Sequence, residues 1–142
     1  MSTIIADNLT GKTSAGDITV TSEGGAATQS LQQGLGKFWC NYDQNGANTL
    51  RGALNSTSFT DNGTGDATVS YINNMSATDD ICVLYNPSDN DSRSGASGEY
   101  VGNIRDNATS SVRLEALNMR DNATTVLRDF DYNYAVTFGD LA

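Results

Sequence analysis

The chain has 142 residues, 17 acidic against 8 basic side chains and no histidine, for a net charge of −9. This balance excludes the basic patch that DNA or RNA requires and disfavours anionic lipid surfaces. The missing imidazole removes the usual general base of serine and cysteine hydrolases. The apolar fraction of 37% lies below the roughly 45–50% common in soluble domains. With Gly, Asn, Asp, Thr and Ser abundant and one proline, Pro87, the composition predicts short strands joined by many turns.

In chain order, Thr3–Leu9 reads as a short strand and Thr10–Gly16 as a turn. Asp17–Thr21 reads as a second strand with Ile18 and Val20 on one face. Glu23-Gly24-Gly25 reads as a hinge. Ala26–Gly34 has helical character, because Ala27, Leu31, Leu35 and Phe38 recur at spacings of four, four and three and so share a helix face. Isolated helices shorter than about 12–15 residues are marginal, so this stripe needs a cover: the domain that follows, or the same helix from neighbouring chains. The expected division is an attachment and oligomerisation segment over residues 1–36 and a β-rich domain over 37–142.

In that domain Lys37–Tyr42 alternates, with Phe38, Cys40 and Tyr42 on one face and Trp39 on the other. Thr49–Leu54 is a weakly marked strand or loop. Ser56–Thr60 and Asp66–Ile72 flank the turn-rich Asp61–Gly65 as a hairpin. Asp80–Asn86 is apolar on both faces, which predicts a central strand. Pro87–Gly98 is the long polar loop. Strands follow at Glu99–Ile104, Thr109–Leu117 and Ala123–Arg128. The repeated Arg-Asp-Asn-Ala-Thr at Arg105–Thr109 and Arg120–Thr124 reads as two equivalent turns. In Asp129–Phe138, the residues Phe130, Tyr132, Tyr134, Val136 and Phe138 share one face, and that aromatic face is expected to close the core. Some eight short strands punctuated by turns indicate a mainly β fold, an antiparallel β-sandwich or jelly-roll-like domain behind short N-terminal strands and one short helix.

Sites of chemistry are sparse. Cys40 and Cys82 lie in strand-like runs and read as two buried free thiols. Asp129 and Asp131 lie two apart on one strand face, the best case for a carboxylate pair or a weak cation site, but neither they nor Asp89-x-Asp91-x-Arg93 matches the ligand spacing of an EF-hand. Tyr42, Tyr85 and Tyr100 can stack on sugars where exposed; the alternative is core tyrosines with their hydroxyls at the rim. No catalytic residue, cofactor or resident metal is expected. Met1–Asp7 lacks a basic start and a long apolar run, so synthesis in a cytoplasm without a signal peptide is expected. No stretch reaches the length of a membrane span, and no membrane insertion is expected.

The run Met1–Asp7 through Thr19–Ala26, then Thr28–Trp39, resembles the start of small tail-fibre or virion structural proteins of marine tailed bacteriophages. Leu54–Tyr71, the following Asn73-Asn-Met-Ser and the ending Tyr134–Ala142 are similar to the β-rich part of that group. The resemblance implies a virion component, a homotrimer that carries or forms a fibre, joined to tail, baseplate or capsid proteins, with adhesion to a host glycan or protein as a further role. It brings no catalytic residues. On this basis Ala27, Leu31, Leu35, Phe38 and Trp39 are the expected trimer contact, and Tyr85, Asp89, Asp91, Arg93 and Tyr100 the expected receptor-facing set. A capsid decoration or connector protein and a glycan-binding module are the alternative functions.

Overall fold

The computed structural model describes residues 4–12, 18–22, 24–89, 98–120 and 125–142. The chain divides into two compact units, Met1–Leu35 and Gly36–Ala142. The fold is mainly β, with antiparallel sheets and one short helix.

In the first unit β1 (Thr19–Thr21) pairs antiparallel with β2 (Thr28–Ser30), Thr19 opposite Ser30 and Thr21 opposite Thr28. Gly25, at φ +72°, lets the chain reverse between them, a conformation that costs glycine nothing. Helix α1 is Leu31–Gly34 alone. The helix expected from Ala26 is therefore a strand in its first part. The β1 backbone takes up the hydrogen bonds of Thr28–Ser30, and Ser30 then caps the helix, its hydroxyl accepting from Gln33 N at 3.4 Å. Leu35 is already extended, so Ala27, Leu31, Leu35 and Phe38 share no helix face. Residues 4–12 form no strand. Thr3, most of the Thr10–Gly16 turn, Asp17 and Glu23 lie outside the described residues. None of the described residues in this unit is buried, and Ile4, Ile5 and Leu9 are exposed.

Among the described residues the second unit holds two sheets. The first runs in the order β4 (Thr49–Leu54), β3 (Phe38–Asp43), β11 (Tyr132–Phe138), β7 (Cys82–Ser88), all pairs antiparallel. In the second, β9 (Ser111–Arg120) lies between β8 (Gly98–Ala108) on one side and β6 (Asp66–Ser70) on the other; β6 in turn pairs with β5 (Phe59–Gly63). β10 (Thr125–Leu127) pairs with β9 beyond the end of β6. The weakly marked Thr49–Leu54 is thus a full strand, and the hairpin expected around Asp61–Gly65 is present. Its turn uses Gly63 at φ +127° and Gly65 at φ +64°.

One core draws on both sheets. Phe38, Cys40 and Tyr42 of β3 and Ala135 of β11 meet Ala67 and Val69 of β6, Val112 and Leu114 of β9, and Tyr71 and Met75. Phe38 and Tyr71 pack edge to face at 5.0 Å, and Tyr42 lies 4.8 Å from Phe59. Burial of each large apolar side chain contributes roughly 1.5–3 kcal/mol. The C-terminal residues are held by a bridge from Leu141 to Met75 and by Ala142 N donating to Asn74 O at 2.9 Å.

Four expectations are corrected. β11 faces the opposite way: Asn133, Ala135 and Thr137 point inward, while Tyr134 is exposed and Tyr132, Val136 and Phe138 are half-buried. The inward polar groups are tolerated because they are bonded, Asn133 to Tyr85 and Thr137 to Tyr71. β7 is an end strand and not a central one. Its two apolar faces arise because Ile81, Val83 and Tyr85 pack against the core while Cys82 and Leu84 form part of an exposed apolar surface. Arg105–Ala108 is no turn but the end of β8, where the register shifts between Ile104 and Asp106; most of the second copy lies outside the described residues. Cys40 is buried as expected, but Cys82 is exposed; both are free thiols.

Candidate functional site

The outer face of the four-stranded sheet is the most distinctive surface of the second unit. Strand register fixes what lies there. Leu54 of β4 is opposite Trp39 of β3, Trp39 opposite Val136 of β11, and Val136 opposite Leu84 of β7. Four apolar side chains thus form one cross-strand row. Leu54 is 47% exposed, Trp39 46% and Leu84 58%. The adjoining row is Gly52, Asn41, Tyr134 and Asn86. The indole of Trp39 lies toward β4, 3.4 Å from where a Cβ on Gly52 would sit, so glycine at 52 leaves the ring its place. A shallow depression of about 380 Å³ opens between Trp39, Leu84, Asn86, Tyr134 and Val136.

One end of the face is braced by a planar stack. Tyr132 and Tyr134 are parallel with centroids 6.1 Å apart, and the Arg51 guanidinium lies 4.4 Å over the Tyr132 ring. Arg51 is held in turn by the Asp43 carboxylate at 2.8 Å and the Asp131 carbonyl. A guanidinium over an aromatic face adds attraction of about 0.5–1 kcal/mol at such an exposed site.

Beneath the face runs a buried polar chain. Tyr42 OH donates to Tyr85 OH at 3.3 Å, Tyr85 OH donates to Asn133 Oδ1 at 2.7 Å, and Asn133 Nδ2 donates to Phe130 O at 2.9 Å. Burial raises the pKa of both tyrosines well above the ordinary phenol value, so these hydroxyls stay protonated. Burial likewise pushes the Cys40 thiol up to about 12, where it is inert as a nucleophile.

The expected site residues fall in different places. Ala27, Leu31 and Leu35 lie in the first unit and Phe38 and Trp39 in the second; Phe38 is fully buried and Trp39 exposed. Of the receptor-facing set, Tyr85 has its hydroxyl committed to Asn133 and Tyr42. Asp89 pairs with Arg128 at 2.6 Å. Arg128 reaches over Phe130, and Tyr100 packs edge-on to the same ring at 4.9 Å. Asp89 and Tyr100 therefore meet around Arg128 and Phe130. Asp91 and Arg93 lie outside the described residues. Asp129 and Asp131 precede β11 and are engaged separately: Asp129 Oδ1 accepts from Gly65 N at 2.6 Å, and Asp131 Oδ1 from Asn45 Nδ2 at 3.2 Å. Among the described residues no group of three or more Cys, Asp or Glu side chains is placed to hold a metal ion. Leu54, Leu84, Tyr134 and Val136 were not singled out as site residues in the sequence; only the alternation around Trp39 and the two-faced strand at Leu84 point to them.

Comparison with protein-family models, with curated proteins and with solved structures finds no match. The phage-fibre resemblance therefore stands on the sequence segments quoted above.

Proposed function

We propose that this chain is a non-enzymatic virion component of a tailed phage, a homotrimeric fibre protein. Its N-terminal unit fastens it to other virion proteins, and its β-rich unit, closed as a sandwich or jelly-roll-like knob, projects toward the host surface. The observation that supports this reading is the state of the first unit. It carries Ile4, Ile5, Leu9, Val20 and Leu35 as exposed large apolar side chains and has no buried residue among those described. A segment this short cannot bury enough surface to offset its own ordering entropy, so it gains a core only against another surface. A short groove lined by Val20, Leu31 and Leu35 together with Gln29, Ser30 and Gly34 offers such a surface a place to dock.

Mass spectrometry of purified phage particles encoding this chain, with antibody labelling to locate it, tests the reading. Label on the tail or baseplate supports it. Label spread over the head favours a capsid decoration protein, and absence from particles sinks the virion assignment. Adhesion is tested by binding of the purified chain to host cells with and without surface glycans.

A further inference from the structure

We propose that the outer face of the four-stranded sheet, centred on Trp39, is where the β unit of one copy of this chain meets that of a second copy. This deepens the fibre reading above, which gathers copies into one assembly, by assigning a contact to the β unit itself.

The first ground is the pattern of exposure. Single exposed apolar residues are normal on any protein, but contiguous ones mark an interaction surface. Leu54, Trp39, Val136 and Leu84 are adjacent across four neighbouring strands. With strands spaced about 4.8 Å apart, the row spans about 14 Å. Trp39 at its middle and Tyr134 beside it are of the residue types that anchor protein interfaces.

The second ground is charge, and it selects the partner. Each copy carries a net −9, so two copies repel wherever carboxylates face one another. The row Leu54, Trp39, Val136, Leu84 and the row Gly52, Asn41, Tyr134, Asn86 contain no ionisable carboxylate or cation. Asp43 and Arg51 at one edge pair with each other, and Lys37 at the other edge is buried with Asp140 acting on it. A basic partner is drawn to the acidic surfaces elsewhere, whereas a partner as acidic as this chain needs a neutral apolar patch. A second copy supplies the same patch.

Cys82 gives a built-in reporter. It is the exposed thiol of β7, on the same side as Leu84, while Cys40 is buried. The test uses the full chain in sedimentation velocity from micromolar to hundreds of micromolar, with iodoacetamide labelling of Cys82 at each concentration. Leu84→Glu and Trp39→Ala alter the face; Ile72→Glu adds the same charge at an exposed site outside it. The expected result is a defined oligomer for the wild type and slower Cys82 labelling as concentration rises. Leu84→Glu should weaken association about 30-fold or more, the scale of losing an interface anchor, and Ile72→Glu should not. A wild type that stays monomeric overturns the inference. So do face variants that associate like the wild type, which place the contact in the N-terminal unit and leave the fibre reading standing. Quenching of Trp39 fluorescence by host glycans in a monomeric wild type reassigns the face to saccharide. Association through the face by a chain absent from particles sinks the fibre reading alone.

Discussion

Asn133→Ala is the sharpest probe of how the β unit is held together. The amide is fully buried in β11. Its Oδ1 accepts from Tyr85 OH at 2.7 Å, and its Nδ2 donates to Phe130 O at 2.9 Å and Tyr42 O at 3.3 Å. Phe130 O keeps a second donor, Gln44 N at 3.1 Å, so the main group orphaned by the substitution is the Tyr85 hydroxyl. An unsatisfied buried donor costs about 1–3 kcal/mol, and the space left by the amide adds about 1 kcal/mol, giving a predicted loss of about 2–4 kcal/mol. Urea unfolding followed by tyrosine and tryptophan fluorescence measures it. For a slope of about 2 kcal/mol per M, the midpoint should fall by about 1–2 M with the slope unchanged. Tyr85→Phe removes the donor from the other side, so the double variant should cost less than the sum of the two single ones, since no hydroxyl is then left waiting for Asn133. Asn133→Ala within about 0.5 kcal/mol of the wild type, the range of ordinary surface substitutions, would refute the inward placement of this side chain. Strict additivity of the two changes would refute the coupling.

Three further outcomes follow from other parts of the β unit. Gly65→Ala should destabilise strongly, by about 2–4 kcal/mol, because the residue sits at φ +64° and a Cβ would lie 2.6 Å from Arg128 N and 2.7 Å from Ala116 O; a thermal melt within a degree of the wild type contradicts this. The Asp66 carboxyl is held below the usual carboxylate range, first by its hydrogen bonds from Arg113 and then by Asn62. Its contribution is therefore full above the ordinary value of about 4 and lost as pH falls through the lower folded value. Urea midpoints between pH 2 and 7 should fall less steeply on acidification for Asp66→Asn than for the wild type, and parallel profiles contradict it. Cys40 should resist alkylation at pH 8 until the protein is unfolded, because burial holds its thiol protonated; mass spectrometry of the labelled native chain that finds Cys40 modified as fast as Cys82 overturns that.

The sequence was most legible where inward residues are themselves apolar. β3 and β9 alternate Phe38, Cys40, Tyr42 and Val112, Leu114, Ala116 toward the core, and period-two hydrophobicity alone reads them correctly. β11 misleads, because its inward positions, Asn133 and Thr137, are polar. Their partners, Tyr85 and Tyr71, lie 48 and 66 residues away, where no local pattern can register them. The spacing predicts too long an N-terminal helix for a related reason: the pairing of Thr28–Ser30 with Thr19–Thr21 is a backbone matter, and the apolar spacing of Ala27, Leu31 and Leu35 is blind to it. The outer face was least legible. Each of four strands contributes one member of the row, so no stretch of chain holds a motif, and only the opposed positions of Phe38 and Trp39 and the two-faced strand at Leu84 hint at it.

The inverted β11 and the exposed row are two sides of one fact. A strand has two faces, and β11 turns its polar one inward, where Tyr85, Tyr71 and Phe130 O satisfy it. The large apolar and aromatic residues that would ordinarily close the core, Tyr132, Tyr134 and Val136, are thereby turned to the other face. Trp39 and Leu84 join them from β3 and β7. The hydrogen-bonded interior thus gives up apolar burial that the same residues would have supplied from within. That loss is recovered only if the outer face is itself covered. On the proposed contact, Tyr42–Tyr85–Asn133 inside and Leu54–Trp39–Val136–Leu84 outside become a single arrangement, in which a second copy covers what the bonded interior of the first turns outward.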